Sequence, residues 1–158
     1  MKGEPRVIQA LNQVLRKELT GINQYFIHAK MCQSWGYEVL YQAIWKESLE
    51  EMQHADKVIE RILFLEGIPN VAGYDKITVG TTVKEQLEND LALEMAALPV
   101  LRPGVRTCLE LNDDASRELL EHIIQDEEHH VDWLEAQLHL IGEIGYATYL
   151  GLQVYKQA

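Results

Sequence analysis

An all-α chain is expected, folded as an antiparallel four-helix bundle with one long crossover and a short C-terminal fifth helix. Four long runs repeat apolar residues at steps of three and four, the spacing of one helix face. The links between them read short, long, short, and no run alternates with the period of two that a strand requires.

The first run spans about Pro5 to Ser34, with its one proline in the opening turn, where the missing N–H costs nothing, and Trp35-Gly36 ends it. The second spans about Tyr37 to Glu66 and stops at Gly67, with Pro69 beyond. A polar segment from Gly67 to Thr81 is the one long connection, so the third helix is expected to run parallel to the second. The third run, from about Thr82 to Leu111, contains Pro99 and Pro103-Gly104, where a kink or local break is expected in a single helix. The fourth follows Asp113-Asp114, either of which can cap it, and reaches about Ile141; Gly142 and Gly145 close it and leave an amphipathic tail from Tyr146 to Tyr155.

The 158 residues are enough for one apolar core, and residues 1–158 read as one domain. A formal charge of -11 argues against nucleic acid, whose phosphates need a basic surface; cations are more natural guests, though by itself such a surface is explained as well by keeping the protein in solution. The start lacks the pattern of a secretory signal, and no stretch approaches the roughly 18 apolar residues of a membrane span, so no membrane partner is expected. Two cysteines, Cys32 and Cys108, form no CxxC pair, and a reducing cytoplasm fits.

The inward faces carry the chemistry. They are Ile8, Leu11, Leu15, Glu18, Ile22, Tyr25, Ala29 and Cys32 on the first helix, and Tyr37, Tyr41, Ile44, Ser48, Glu51, Ala55, Val58, Ile62 and Leu65 on the second. On the third they are Leu87, Leu91, Glu94, Leu98, Leu101, Val105 and Cys108, and on the fourth Leu120, Ile124, Glu127, Val131, Leu134, Leu138 and Ile141. Each face bears one charged residue, a glutamate. Glu51 and Glu127 are followed three residues later by His54 and His130, a spacing that puts both side chains on one face about a turn apart. Glu18 to Glu51 and Glu94 to Glu127 are each 33 residues, so the two hairpins are expected to bring all six groups to one level. Burying four carboxylates costs several kcal/mol per ion, and no lysine or arginine lies on these faces to offset it. Two divalent cations would balance the four charges, with two neutral imidazoles completing the set. The bland alternative is a wet polar layer without metal.

Several segments are similar to bacterioferritins: MKG at the start, INQYF at Ile22–Phe26, EEMQHAD, ERILFLEG-x-PN, SRELLE and DEEHHVDWLE. The resemblance covers nearly the whole chain and implies a ferritin-like fold holding two iron ions per subunit. Glu51 and Glu127 would bridge the irons, Glu18 with His54 completing one and Glu94 with His130 the other; manganese, zinc or cobalt suit the same donors. It further implies a ferroxidase for iron storage, which oxidises Fe(II) with O2 or peroxide and keeps the Fe(III) mineral inside a shell of 24 subunits built from dimers. Met52, turned about 100° from Glu51 and therefore out of its own bundle, is the implied axial ligand of a b-type haem shared between two subunits. A methionine in a dry interface is the alternative.

By the same likeness Tyr25 is a candidate electron donor near the metals, and Trp133 matches a nearby family aromatic; both have ordinary packing alternatives. Lys46 stands where members have a histidine that forms an inner-surface iron site with an acidic neighbour such as Glu50, which puts that accessory site in doubt. His129 turns off the metal face and carries no role. A ferredoxin-type reductase for iron release is implied as a partner, and co-assembly with a sister subunit is left open. Two other readings stay open: a peroxide-reducing di-iron protein of the rubrerythrin kind, for which the CxxC pairs are missing, and a metal-free structural or haem-binding helical assembly.

Overall fold

A computed structural model describes residues 1–154, so the expected end of the tail at Tyr155 lies outside the described residues. The described residues contain five helices and no strand: α1 (Pro5–Ser34), α2 (Glu38–Phe64), α3 (Val83–Glu110), α4 (Asp114–Ile144) and α5 (Tyr146–Gly151). The hairpins α1/α2 and α3/α4 make the largest packing faces, and α1 packs on α3. The expected four-helix bundle with a short fifth helix is what the chain forms.

Local chemistry sets the boundaries. Thr82 caps α3 by accepting from the Glu85 amide at 3.2 Å, while the Glu85 carboxylate accepts from the Thr81 amide at 2.7 Å, a reciprocal arrangement that satisfies otherwise orphaned donors. Asp113, not Asp114, caps α4, accepting from the Ser116 amide at 3.0 Å, and Arg61 of α2 reaches over at 2.7 Å to hold that carboxylate. The stop after α2 works differently from expectation. Glu66, with φ 63°, takes the left-handed conformation, and Gly67 instead permits close approach, since a Cβ there would lie 2.7 Å from Ile8 Cγ2. Asn112, φ 56°, performs the same turn after α3.

The prolines of α3 do not break it: the helix is continuous through Pro99 and Pro103. Both, with Met95, lie on its exposed side, so the carbonyls of Met95 and Pro99 that lose a partner are on the wet side. Likewise α4 passes Gly142 and ends at Gly145, whose φ is 84°.

The long crossover is laid along α1 and pinned every fourth residue. Asn12 donates to the Ile68 carbonyl and accepts from the Asn70 amide; Arg16 donates to Asp75 and to the Tyr74 carbonyl. Thr20 accepts from the Asp75 amide, Gln24 from the Thr78 amide, and His28 Nε2 from the Gly80 amide at 2.9 Å. The connection therefore travels the length of α1 and starts α3 in the direction of α2. One apolar cluster includes Leu11, Leu15, Val58, Ile62, Leu101 and Leu120, and a second includes Ala29, Leu40, Ile44, Leu87, Leu134 and Tyr149. The six polar groups of the inward faces lie between these two clusters along each helix.

The expectation that glutamate is the one charged residue on each buried face needs correction. His28 and Asp90 are also fully buried, His28 Nδ1 lying 2.8 Å from Asp90, and Gln24 donates to the same carboxylate at 2.9 Å. Because His28 Nε2 accepts from Gly80, its proton is on Nδ1 and is donated to Asp90. These groups are buried because the crossover covers them.

Candidate metal centre

All six predicted groups meet in one buried cage. Glu18, Glu51, Glu94 and Glu127 are 1 to 3 % exposed, and His54 and His130 are 3 and 4 % exposed. Glu18, Glu51, His54 and Glu127 can each offer a ligand atom to one point, and Glu51, Glu94, Glu127 and His130 to another, their donor atoms lying within 4.8 Å of one another. Glu51 and Glu127 belong to both sets; the others belong to one. His54 Nδ1 lies 3.2 Å from Glu18 Oε2 and from Glu127 Oε1, and His130 Nδ1 lies 3.5 Å from both Glu51 Oε1 and Glu94 Oε1.

The outer nitrogens fix the rings. His54 Nε2 is 2.9 Å from Asp126 Oδ2, and His130 Nε2 is 2.5 Å from Glu47 Oε2 and 2.7 Å from Glu50 Oε2. Each ring donates its Nε2–H outward to carboxylate, which aims Nδ1 at the cage. Sequence reasoning missed Asp126 and Glu47 in this role. The usable signal was that Asp126 and Glu50 each directly precede a cage glutamate.

Electrostatics state what the cage is short of. Burial, reinforced by Glu18 and Glu127, holds Glu51 well above the usual carboxylate range; burial and then Glu127 raise Glu18. Burial alone would depress His54, but hydrogen bonds to Glu127 and Glu18 overcome it and push the imidazole up to about 10. Glu47 does the same against burial for His130, to about 9. The carboxylates thus recruit protons in place of other positive charge. Even so, Glu51 Oε1, Glu94 Oε2 and His130 Nδ1 are buried without a hydrogen-bond partner, an arrangement worth roughly 1–3 kcal/mol of penalty for each orphan. Oxygen donors, imidazoles and orphaned lone pairs converging on two points fit two divalent cations.

Tyr25 is buried and donates its hydroxyl to Glu94 Oε1. Its ring meets His130 edge-on at 6.5 Å. Burial, then Asp90, raises its phenol well above the ordinary value, so it stays a neutral donor. Met52 is 53 % exposed, outside the cage as expected, and shares its face of α2 with Leu49 and Leu63, both exposed. Trp133 is half-buried, Lys46 lies 3.5 Å from Glu50 on the surface, and His129 is exposed and joins neither set.

A family profile for the ferritin-like domain matches residues 8–144. The chain is 46 % identical over 149 residues to the bacterioferritin of Mycobacterium leprae (strain TN), covering 94 % of each chain. The chain belongs to the bacterioferritin family. Bacterioferritin BfrA of Mycobacterium tuberculosis (strain ATCC 25618 / H37Rv) is 45 % identical over the same share of both chains. The bacterioferritin of Rhodobacter capsulatus is 46 % identical over 145 residues, 92 % of this chain and 90 % of that one. Membership supports iron storage and assembly of like subunits, and the two donor sets support iron binding. No helix among the described residues is long and apolar enough to cross a membrane.

Proposed function

We propose that residues 1–158 act as one ferroxidase unit of an iron-storage shell. Fe(II) is the substrate: it enters the cage, gives electrons to O2 or peroxide, and leaves as Fe(III) for a mineral held inside 24 subunits. The observation carrying this reading is the pair of convergent donor sets that share Glu51 and Glu127. Glu18 and His54 complete one position, Glu94 and His130 the other, and four carboxylates match two dications in charge.

The chain's own residues divide the remaining work. Asp126 orients His54, while Glu47 and Glu50 orient His130. Tyr25 holds Glu94 in place through its hydroxyl and lies close enough to serve as an electron donor. The apolar cluster on either side keeps bulk water from the carboxylates, which strengthens their pull on cations.

Met52 lies on an exposed apolar face, as a haem ligand shared across a dimer must, and Leu49, one turn before it, supplies a greasy wall for the macrocycle. A b-type haem there would carry electrons between the outside and the stored mineral, with a ferredoxin-type reductase as donor for iron release, in the cytoplasm. A sister subunit would meet the same faces. Anaerobic titration with Co(II) is expected to give two tightly bound ions per chain, and Glu51→Ala to lower the ferroxidase rate at least about 100-fold. Fewer than two ions, or an unchanged rate, contradicts the reading.

A further inference from the structure

Gly21 stands in the middle of a 30-residue helix, buried and in ordinary helical conformation, where no turn asks for glycine. Glycine weakens a helix interior, so its presence there calls for a compensating use. The space explains it. A Cβ on Gly21 would lie 2.8 Å from Glu51 Oε2 and 3.3 Å from both Cδ and Cγ of Glu51, and these are its three nearest neighbours. The absent side chain is the slot that Glu51 fills.

The helices cannot move apart to relieve a larger residue without breaking a second contact. One turn before Glu51, Ser48 donates its hydroxyl to the Ile22 carbonyl at 2.8 Å, tying α2 to α1 beside Gly21. Glu18, Glu51, His54 and their partners Glu94, Glu127 and His130 are each 76 residues apart, and by that repeat Gly21 corresponds to Ala97. Ala97 is buried too, so the second hairpin accepts a methyl where the first does not have one.

We propose that Gly21 is a positioning residue: by leaving out a side chain it sets where the Glu51 carboxylate sits, and so governs both cation positions at once. This rests on the reading of Glu51 as a ligand shared by the two positions. The one atom inside 3 Å, Glu51 Oε2, ends a flexible side chain, so a methyl at residue 21 moves the Glu51 carboxylate and leaves the α1 backbone alone. Alanine is also the better helix former, so the chelator-treated protein loses nothing by the change.

The test uses the full chain with Co(II) as probe, followed by calorimetry and the d–d absorption of the bound ion. Gly21→Ala is expected to keep or raise the thermal midpoint of the chelator-treated protein while weakening Co(II) binding about 10- to 100-fold. Glu51→Asp withdraws the carboxylate by one methylene, so its cost in the Gly21→Ala background is expected to be smaller than in the parent by about threefold or more. Unchanged Co(II) affinity in Gly21→Ala, additive effects in the double variant, or loss of helical circular dichroism each overturns the proposal. If the parent itself binds fewer than two Co(II), the shared-ligand reading fails first and takes this one with it.

Discussion

The cage has two halves that repeat in their inner groups and differ in what stands behind them. His54 leans on one carboxylate, Asp126, with the exposed His122 at 3.7 Å from it. His130 leans on two, Glu47 and Glu50, with Lys46 beside Glu50. By the 76-residue repeat Glu47 corresponds to Ile123 and Tyr25 to Leu101, both core residues, so the Glu94 side alone has the extra carboxylate and the phenol. The repeated positions fix the donor geometry, whereas the unrepeated ones make the two positions chemically unequal. A bundle can thus hold a near-symmetric pair of cations and still treat them differently.

Removing a shared group should break both halves, and removing an unshared group only one. Glu127→Ala is expected to abolish tight Co(II) binding, whereas Glu18→Ala retains about one ion per chain, as read by calorimetric stoichiometry. A smaller and one-sided effect follows from Asp126→Ala, which frees the His54 ring: affinity at one of the two positions falls about 10- to 100-fold and the other is retained, giving a biphasic titration. Tyr25→Phe removes only the hydrogen bond to Glu94. It should weaken the Glu94 side by roughly tenfold, the scale of a hydrogen bond to a charged group, while leaving the His54 side as it was.

The least of these effects is a slope with pH that the two halves share. His54 and His130 have folded values of about 10 and about 9 against an ordinary 6.5. Groups raised in this way contribute stability below about pH 6.5 and lose it as pH climbs through the folded values. The raised Glu18 and Glu51 act in the same direction, costing stability as pH rises above 4.5. The thermal midpoint of the chelator-treated protein should therefore fall from about pH 6.5 to about pH 10 by several degrees. Two bound dications hold the imidazoles neutral at any of these pH values, and most of the slope should disappear from their calorimetric scan.

Much of this was legible from residue spacing, because helix periodicity and the ligand pattern obey the same step of three and four. Glu18, Glu51, His54, Glu94, Glu127 and His130 could be placed at one level without coordinates, since a buried carboxylate on each apolar face leaves few physical solutions. Asp126, Glu47 and Gly21 were not legible, for they sit on adjoining faces and matter only through what crosses from another helix. The ladder Asn12, Arg16, Thr20, Gln24, His28 is polar and off the apolar face of α1, and only the crossover lying on it turns Gln24 and His28 into interior groups. Pro99 and Pro103, spaced by four, share the exposed side, where the carbonyls that lose a partner face solvent, and α3 is the single helix that was expected.

Anomalous scattering from crystals soaked anaerobically with Fe(II) would show whether two cations occupy the cage. Two peaks per chain are expected, one among Glu18, Glu51, His54 and Glu127 and one among Glu51, Glu94, Glu127 and His130. A cage without peaks, or a single ion held only by surface carboxylates, would contradict that expectation.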